Sequence, residues 1–289
     1  MQVRTLSDHA GDMARRARAE REAQHDRAMA EYRAALAARS RRVGELRAQT
    51  VAARRAGQWR AWLQHCRSRL KHALSAAPKK PRMPGRSEEE VRWSTGAAGE
   101  QRVEQILAAA LDDGWILING YRNRNGEVDQ LLVSAHGLLA IEIKYMSGII
   151  HCLDGAWTRE KVGGRGGLQG QNWPIMDRGG RSPGDQVNSV AGRLQRFLRR
   201  RDMDVRIARA VVLAHPNARL GHMEQHGLDL IATCEYLVAD VLIAHMTPLP
   251  ESVDVDALVE LIEQDHHFNA RKHKQRGRQA GSQRKRKGQ

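Results

Sequence analysis

The stretch Gly126–Tyr145, GEVDQLLVSAHGLLAIEIKY, sets four charged side chains inside two aliphatic runs. Runs of this kind, separated by a short turn, fold as neighbouring strands in the middle of a sheet. A buried carboxylate is costly unless it is paired, hydrogen-bonded or bound to a cation. Glu127, Asp129 and Glu142 therefore restrict the chain to folds that give this stretch partners.

Strands at 128–134 and 138–145, joined by Ala135, His136 and Gly137, make an antiparallel hairpin. A turn of even length, centred between Ala135 and His136, pairs positions whose numbers sum to 271. Asp129 then faces Glu142, and Glu127 faces Lys144. All four project from one face, with opposing Cβ atoms roughly 4.5–5.5 Å apart. Leu131, Val133, Leu138 and Ala140 share that face; Val128, Leu132, Leu139, Ile141 and Ile143 form the other, so burial on both is expected. Two facing carboxylates repel, and the remedies are a raised pKa or a shared divalent cation. Oxygen ligands select Mg or Mn. Lys144 beside such a cation would hold or activate a water, or offset charge developing on a phosphate. This is the pattern of a hydrolytic site.

Charge names the partner class. The chain carries 48 Lys and Arg against 33 Asp and Glu, a net charge of +15. Residues 1–92 hold 22 basic and 10 acidic side chains, 93–270 hold 17 and 23, and 271–289 hold 9 and none. Polyanions such as nucleic acid are the first class to consider, and an anionic membrane surface the second. The basic flanks supply non-specific attraction. The acidic middle needs another way to meet phosphate, and a carboxylate-bound cation is one. A membrane role is set aside, because the N-terminal helices show little apolar face beyond Trp59, Trp62 and Leu63. Cys66, Cys152 and Cys234 are far apart, without zinc or disulfide spacing, and no apolar leader or spanning segment is present. A cytoplasmic protein is expected.

Residues 1–75 read as a helical, coiled-coil-like region. Ala10–Leu74 is nearly all Ala, Arg, Glu, Gln and Leu without proline. Its narrow stripe of Met29, Tyr32, Leu36, Val43 and Leu46 predicts a helical hairpin or a weak coiled coil able to form a homodimer; the alternative is one exposed charged helix. Residues 76–92 read as a Pro-rich linker, 93–265 as a compact domain, and 266–289 as a basic disordered tail. Within the domain, helices are expected at 95–111, from Ser182 onward and at 255–263. Strands are expected at 115–119, 149–153, 156–160, 208–215 and 228–233. Asp154 and Gly155 supply a hairpin turn, Ser182 and Asp185 a capping box with Pro183 at the first helical position, and 162–182 a glycine-rich irregular loop. That loop lacks a nucleotide-binding motif.

Asp129, twelve intervening residues and then Glu142-Ile143-Lys144 resemble the D…ExK signature of the PD-(D/E)xK nuclease superfamily. The wider text resembles its nuclease-related (NERD) domain: GAAGE at Gly96–Glu100, the hairpin itself, Gly148 with the nearby Trp157, and PGDQ at Pro183–Gln186. The resemblance covers roughly residues 95–220. It implies an α/β, restriction-endonuclease-like αβββαβ core with a mixed sheet. It further implies Asp129 and Glu142 as Mg or Mn ligands, Lys144 as the catalytic lysine, Glu100 as an extension of the acid cluster and metal site, and Gln186 near the site. Glu100 precedes Val103 and Leu107 by three and seven positions, so it also falls on the helix's inward face. Its simpler role is to complement the helix dipole; Glu127 is read as a salt-bridge partner of Lys144 or a further site residue, and Gln186 otherwise as a helix-start residue. The expected function is metal-dependent nuclease activity on nucleic acid, DNA before RNA. The alternative is a catalytically silent nucleic-acid-binding or scaffolding protein.

Overall fold

The computed structural model describes residues 1–162, 168–177 and 179–287, with all side chains among these but those at 162, 168–171, 274 and 276–287. The chain divides into two compact units, Met13–Val91, and Met1–Asp12 with Arg92–Gln289.

The first unit is a helical hairpin. Helix α1 (His9–Arg55) ends where Gly57 turns left-handed at φ +66°. Gly57 N–H donates to Arg54 O and Gln58 N–H to Ala53 O, a Schellman motif that satisfies the last carbonyls. The chain turns here, and α2 (Trp59–Leu74) returns along α1 to make the helical hairpin that was one of the two expected forms, not the single exposed helix. Arg39 of α1 donates to the carbonyls of His72, Ser75 and Ala76, covering the negative end of α2. Leu46 and Ala53 are buried, and so is Thr50, whose hydroxyl donates to Leu46 O.

The second unit is built on a six-stranded mixed sheet, β1-β2-β3-β4-β8-β10. Its strands are β1 (Gln2–Thr5), β2 (Ile116–Asn123), β3 (Gly126–Ser134), β4 (Gly137–Lys144), β8 (Ile207–Leu213) and β10 (Leu230–Thr233). A second sheet, β7-β6-β5-β9, contains β5 (Gly148–Leu153), β6 (Ala156–Val162), β7 (Leu168–Pro174) and β9 (Ala218–Glu224). Helices α4 (Pro183–Arg199) and α6 (Val255–Lys287) pack with one face of the main sheet through Leu194, Leu198, Leu258 and Ile262. Helices α3 (Glu88–Ala110) and α5 (Ala239–Ala244) cover the other through Val103, Leu107 and Leu242. The order α3, β2, β3, β4, α4, β8 is the expected αβββαβ core.

The hairpin has the expected register: Gln130 pairs with Ile141 and Ser134 with Gly137. Ser182 and Asp185 form the capping box of α4, and the turn before β6 has Asp154 and Gly155 at positive φ. Other elements depart from expectation. Residues 2–5, inside the region read as helical, pair in parallel with β2. Helix α3 starts at Glu88 rather than 95, because Ser87 Oγ accepts from Glu90 N–H as its cap. Strand β7 lies in the stretch read as loop, of which 163–167 and 178 are outside the described residues. Strand β9 and helix α5 carried no clear periodic signal. Helix α6 runs to Lys287, into the tail read as disordered; its Arg, Lys, Gln and Ala are strong helix formers even with nothing apolar to bury.

One facing rule is broken. Ile118 and Tyr121 lie in the same apolar cluster, as do Leu131 and Val128, although strict alternation would separate each pair. The reversal falls at Gly120, whose φ is +71°, and across from it at Asp129. Val128 therefore joins the cluster of Leu131 and Val133 rather than that of Leu132.

Gly137, at φ +131°, closes the hairpin turn, and a Cβ there would meet Thr247 O at 2.3 Å. Gly137→Ala is expected to lower stability by about 1–3 kcal/mol, read from the midpoint of chemical denaturation. An unchanged midpoint would show that the turn relaxes freely.

Candidate active site

The site lies where β3 and β4 part. Their ladder ends at Gln130 and Ile141, one step before Asp129 and Glu142 would face each other. Beyond that point β4 stays paired with β8, from Glu142 opposite Val211 to Lys144 opposite Leu213. Asp129, at the facing reversal, turns its carboxylate along the sheet, and Oδ2 accepts from Ile143 N–H at 2.6 Å. A side chain thus replaces the lost ladder acceptor.

Glu142 is buried at 4% exposure and receives the Lys144 ammonium on Oε1 at 2.7 Å. Lys144 Nζ also donates to Gln186 Oε1 at 3.2 Å, and Gln186 Nε2 donates to Arg181 O. The capping box of α4 fixes that glutamine one residue beyond Asp185. Glu100 enters from α3. Gly99 lets that helix ride close to Tyr145 at the end of β4, where a Cβ would come within 3.0 Å of the Tyr145 Cβ. Gln130 Nε2 donates to Glu100 O at 3.3 Å and ties α3 to the end of the ladder.

The electrostatics bind these residues together. Burial, then Glu142 and Glu100, push the Asp129 carboxyl well above its ordinary value. Burial raises Glu142 too, against the pull of Lys144. Glu100 is raised to about 7 by burial, followed by Asp8, Glu127 and Glu142. Burial opposes the charge of Lys144, but Glu142 and Asp129 outweigh it and raise its pKa. The protein thus holds one cation among several acids that resist ionising together.

Asp129, Glu142, Lys144, Glu100 and Gln186 are all in this one neighbourhood. Glu127 corrects the expectation: it pairs with Arg122, its cross-strand neighbour on β2, and not with Lys144. Because the β3–β4 ladder stops at Gln130, Glu127 and Lys144 never face each other. Three contributors were missed. Asp8 caps α1 by accepting from Gly11 N–H and presses on Glu100; an Asp before a helix is a cap signal, but its approach to the site depends on β1 joining the sheet. Asp177 and Arg181 form an ion pair that acts on Glu142 from the loop before α4. No local pattern marks them. Trp115 and Trp157 are buried, while Trp173 is half exposed beneath the Lys161 ammonium.

Among the described residues no group of three or more His, Cys, Asp or Glu stands arranged to hold a metal ion. Asp129 is engaged by Ile143 and Glu142 by Lys144. No helix among the described residues is long and apolar enough to cross a membrane.

Residues 95–214 match the family model described as Nuclease-related domain, NERD. Over these 120 residues, fewer than half of the 289, the chain is similar to a nuclease-related domain. The matched span runs from α3 through β8 and contains every residue of the D…ExK signature together with Glu100 and Gln186. Neither the curated proteins nor the solved structures gave a match. Asp8 lies outside the matched span.

Glu100 binds its proton more tightly in the folded chain than at its ordinary value of 4.5. Between that value and about 7 the folded state holds more protons than the unfolded one, so this residue's contribution to stability falls as pH rises through the window. Glu100→Gln is expected to flatten the decline, read as the change in denaturation midpoint between about pH 5 and about pH 8 in chelator. Equal slopes for both proteins would remove Glu100 from the acid cluster.

Proposed function

We propose that this protein is a metal-dependent nuclease that hydrolyses phosphodiester bonds in nucleic acid, DNA in preference to RNA. The observation that carries the reading is the gathering of Asp129, Glu142 and Lys144 at the parted end of one hairpin, with both carboxyls raised by burial and Asp129 further by Glu142.

The donor set suits a hard divalent cation, Mg or Mn. Asp129, Glu142 and Glu100 offer only carboxylate oxygens, and their shared resistance to ionisation is what such a charge relieves. When bound, the cation supplies an activated water and offsets charge on the phosphate. The chain's own groups do the positioning. Ile143 N–H fixes the direction of the Asp129 carboxylate. Gln186, anchored on Arg181 O, holds the Lys144 ammonium in place beside Glu142. Lys144 stays charged and can stabilise charge developing on a phosphate oxygen. Arg181, 44% exposed, and Arg124, exposed on the turn before β3, extend positive charge outward for the backbone phosphates of the substrate.

The purified protein should cut linear, supercoiled or single-stranded DNA with Mg or Mn and not in EDTA. Lys144→Ala and Asp129→Ala should each lower the rate by about 10²–10³-fold. Gln186→Ala should have a smaller effect on rate, since the lysine keeps its partner Glu142. Absence of cutting, with salt-sensitive binding that survives both substitutions, would replace the reading with that of a silent nucleic-acid-binding scaffold.

A further inference from the structure

Helix α2 presents an apolar stripe that nothing in its own helical unit covers. None of its sixteen residues is buried. Trp59, Leu63, Leu70 and Leu74 are exposed to 65%, 52%, 62% and 78%. At 100° per residue these four fall within about 60° of one another, one line along the helix. Trp62 and Cys66, partly covered, lie to the side of α1. Along the outer edge of the stripe run Arg60, Arg67 and Lys71, all exposed. Residues 59–74 contain no Asp or Glu.

Beside the stripe lies a cavity of about 380 Å³ between α1 and α2. Arg47, Arg69 and His72 line it together with Val43, Leu46 and Leu70, and no acidic side chain does. The buried Nε2 of His72 has no hydrogen-bond partner. The cavity is therefore lined by basic and apolar side chains together, and it shares Leu70 with the stripe.

We propose that α2 docks on an anionic phospholipid surface. The helix lies in the plane of the interface, its Trp59–Leu74 stripe sinks among the acyl chains, and Arg60, Arg67 and Lys71 reach the phosphates along its edge. The adjoining cavity takes a headgroup phosphate between Arg47, Arg69 and His72. Charge selects this occupant. A second copy placed on the stripe would set one exclusively basic helix against another, with like charges flanking the shared seam. An anionic bilayer supplies both the apolar layer and the negative charge. The sequence alone undervalues the stripe, since it does not show that Leu70 and Leu74 stay exposed once α2 has folded back on α1.

The test is co-sedimentation of the full chain with vesicles of phosphatidylcholine alone and of phosphatidylcholine with phosphatidylglycerol, in the absence of nucleic acid. Binding is expected to the second and not to the first. Leu63→Asn with Leu70→Asn, both exposed, should lower it about tenfold or more while the circular dichroism is unchanged. Arg60→Gln with Arg67→Gln and Lys71→Gln should lower it by about a hundredfold. Binding that survives the leucine substitutions is general attraction by the basic segments and overturns the proposal, as does the absence of binding. A dimer in solution whose Trp59 is shielded from acrylamide without vesicles also overturns it and assigns the stripe to a second copy. DNA cleavage should be unaltered by the leucine substitutions.

Discussion

Two carboxylates cannot share facing positions of a closed ladder without repelling each other, and the sheet-containing unit is arranged around that conflict. The hairpin register would set Asp129 against Glu142, and the ladder stops one pair short. Parting the strands leaves Ile143 N–H without a carbonyl, and the Asp129 carboxylate takes it. The strain of the acid pair thus becomes a fixed direction for one acid. Lys144 answers the other, and Gln186 of α4 holds the lysine there. The elements that border the opening follow from it: α3 comes close through Gly99, and β2 reverses its facing at Gly120 so that Tyr121 and Val128 stay in the core.

What was legible in the sequence was what is local. The Ser134–Gly137 turn sets the hairpin register as far as Gln130 and Ile141, so the approach of Asp129 to Glu142 is readable from spacing alone, as are the capping box at Ser182 and the Asp154–Gly155 turn. The placement of Glu100 was readable from its step to Val103 and Leu107. What was not legible depends on pairings between distant segments. Glu127 was set against Lys144 because the register was carried past the point where the strands part, whereas its partner Arg122 is defined by β2. Asp8 reaches the acid cluster only because residues 2–5 pair with 116–119, a parallel contact across more than a hundred residues. Strand β7 was hidden by Gly170 and the glycines that precede the strand in sequence, since glycine weakens strand propensity but does not prevent pairing with β6.

The distribution of charge has a physical logic. An acidic domain repels the polyanion it is proposed to cut, and the buried acids carry raised pKa values that signal unmet demand for positive charge. Lys144 meets part of that demand, at 21% side-chain exposure. In the proposed mechanism the remainder falls to a cation at the site and to the exposed arginines nearby. Basic residues placed in other segments can gather substrate over a distance, but the Debye length of about 8 Å at physiological salt keeps their field from substituting for charge inside the site.

The helical unit separates two uses of basic charge that net charge alone confounds. On α1, arginines such as Arg21 and Arg39 are spent internally: one pairs with Glu90, and the other covers the end of α2. On α2, Arg60, Arg67 and Lys71 border exposed Trp and Leu side chains and have no acid on their own helix to meet. Nucleic acid rewards a cationic surface whether or not apolar groups lie beside it, whereas a bilayer rewards the two together. The leucines of α2, not its arginines, are therefore the residues that tell one polyanion from the other.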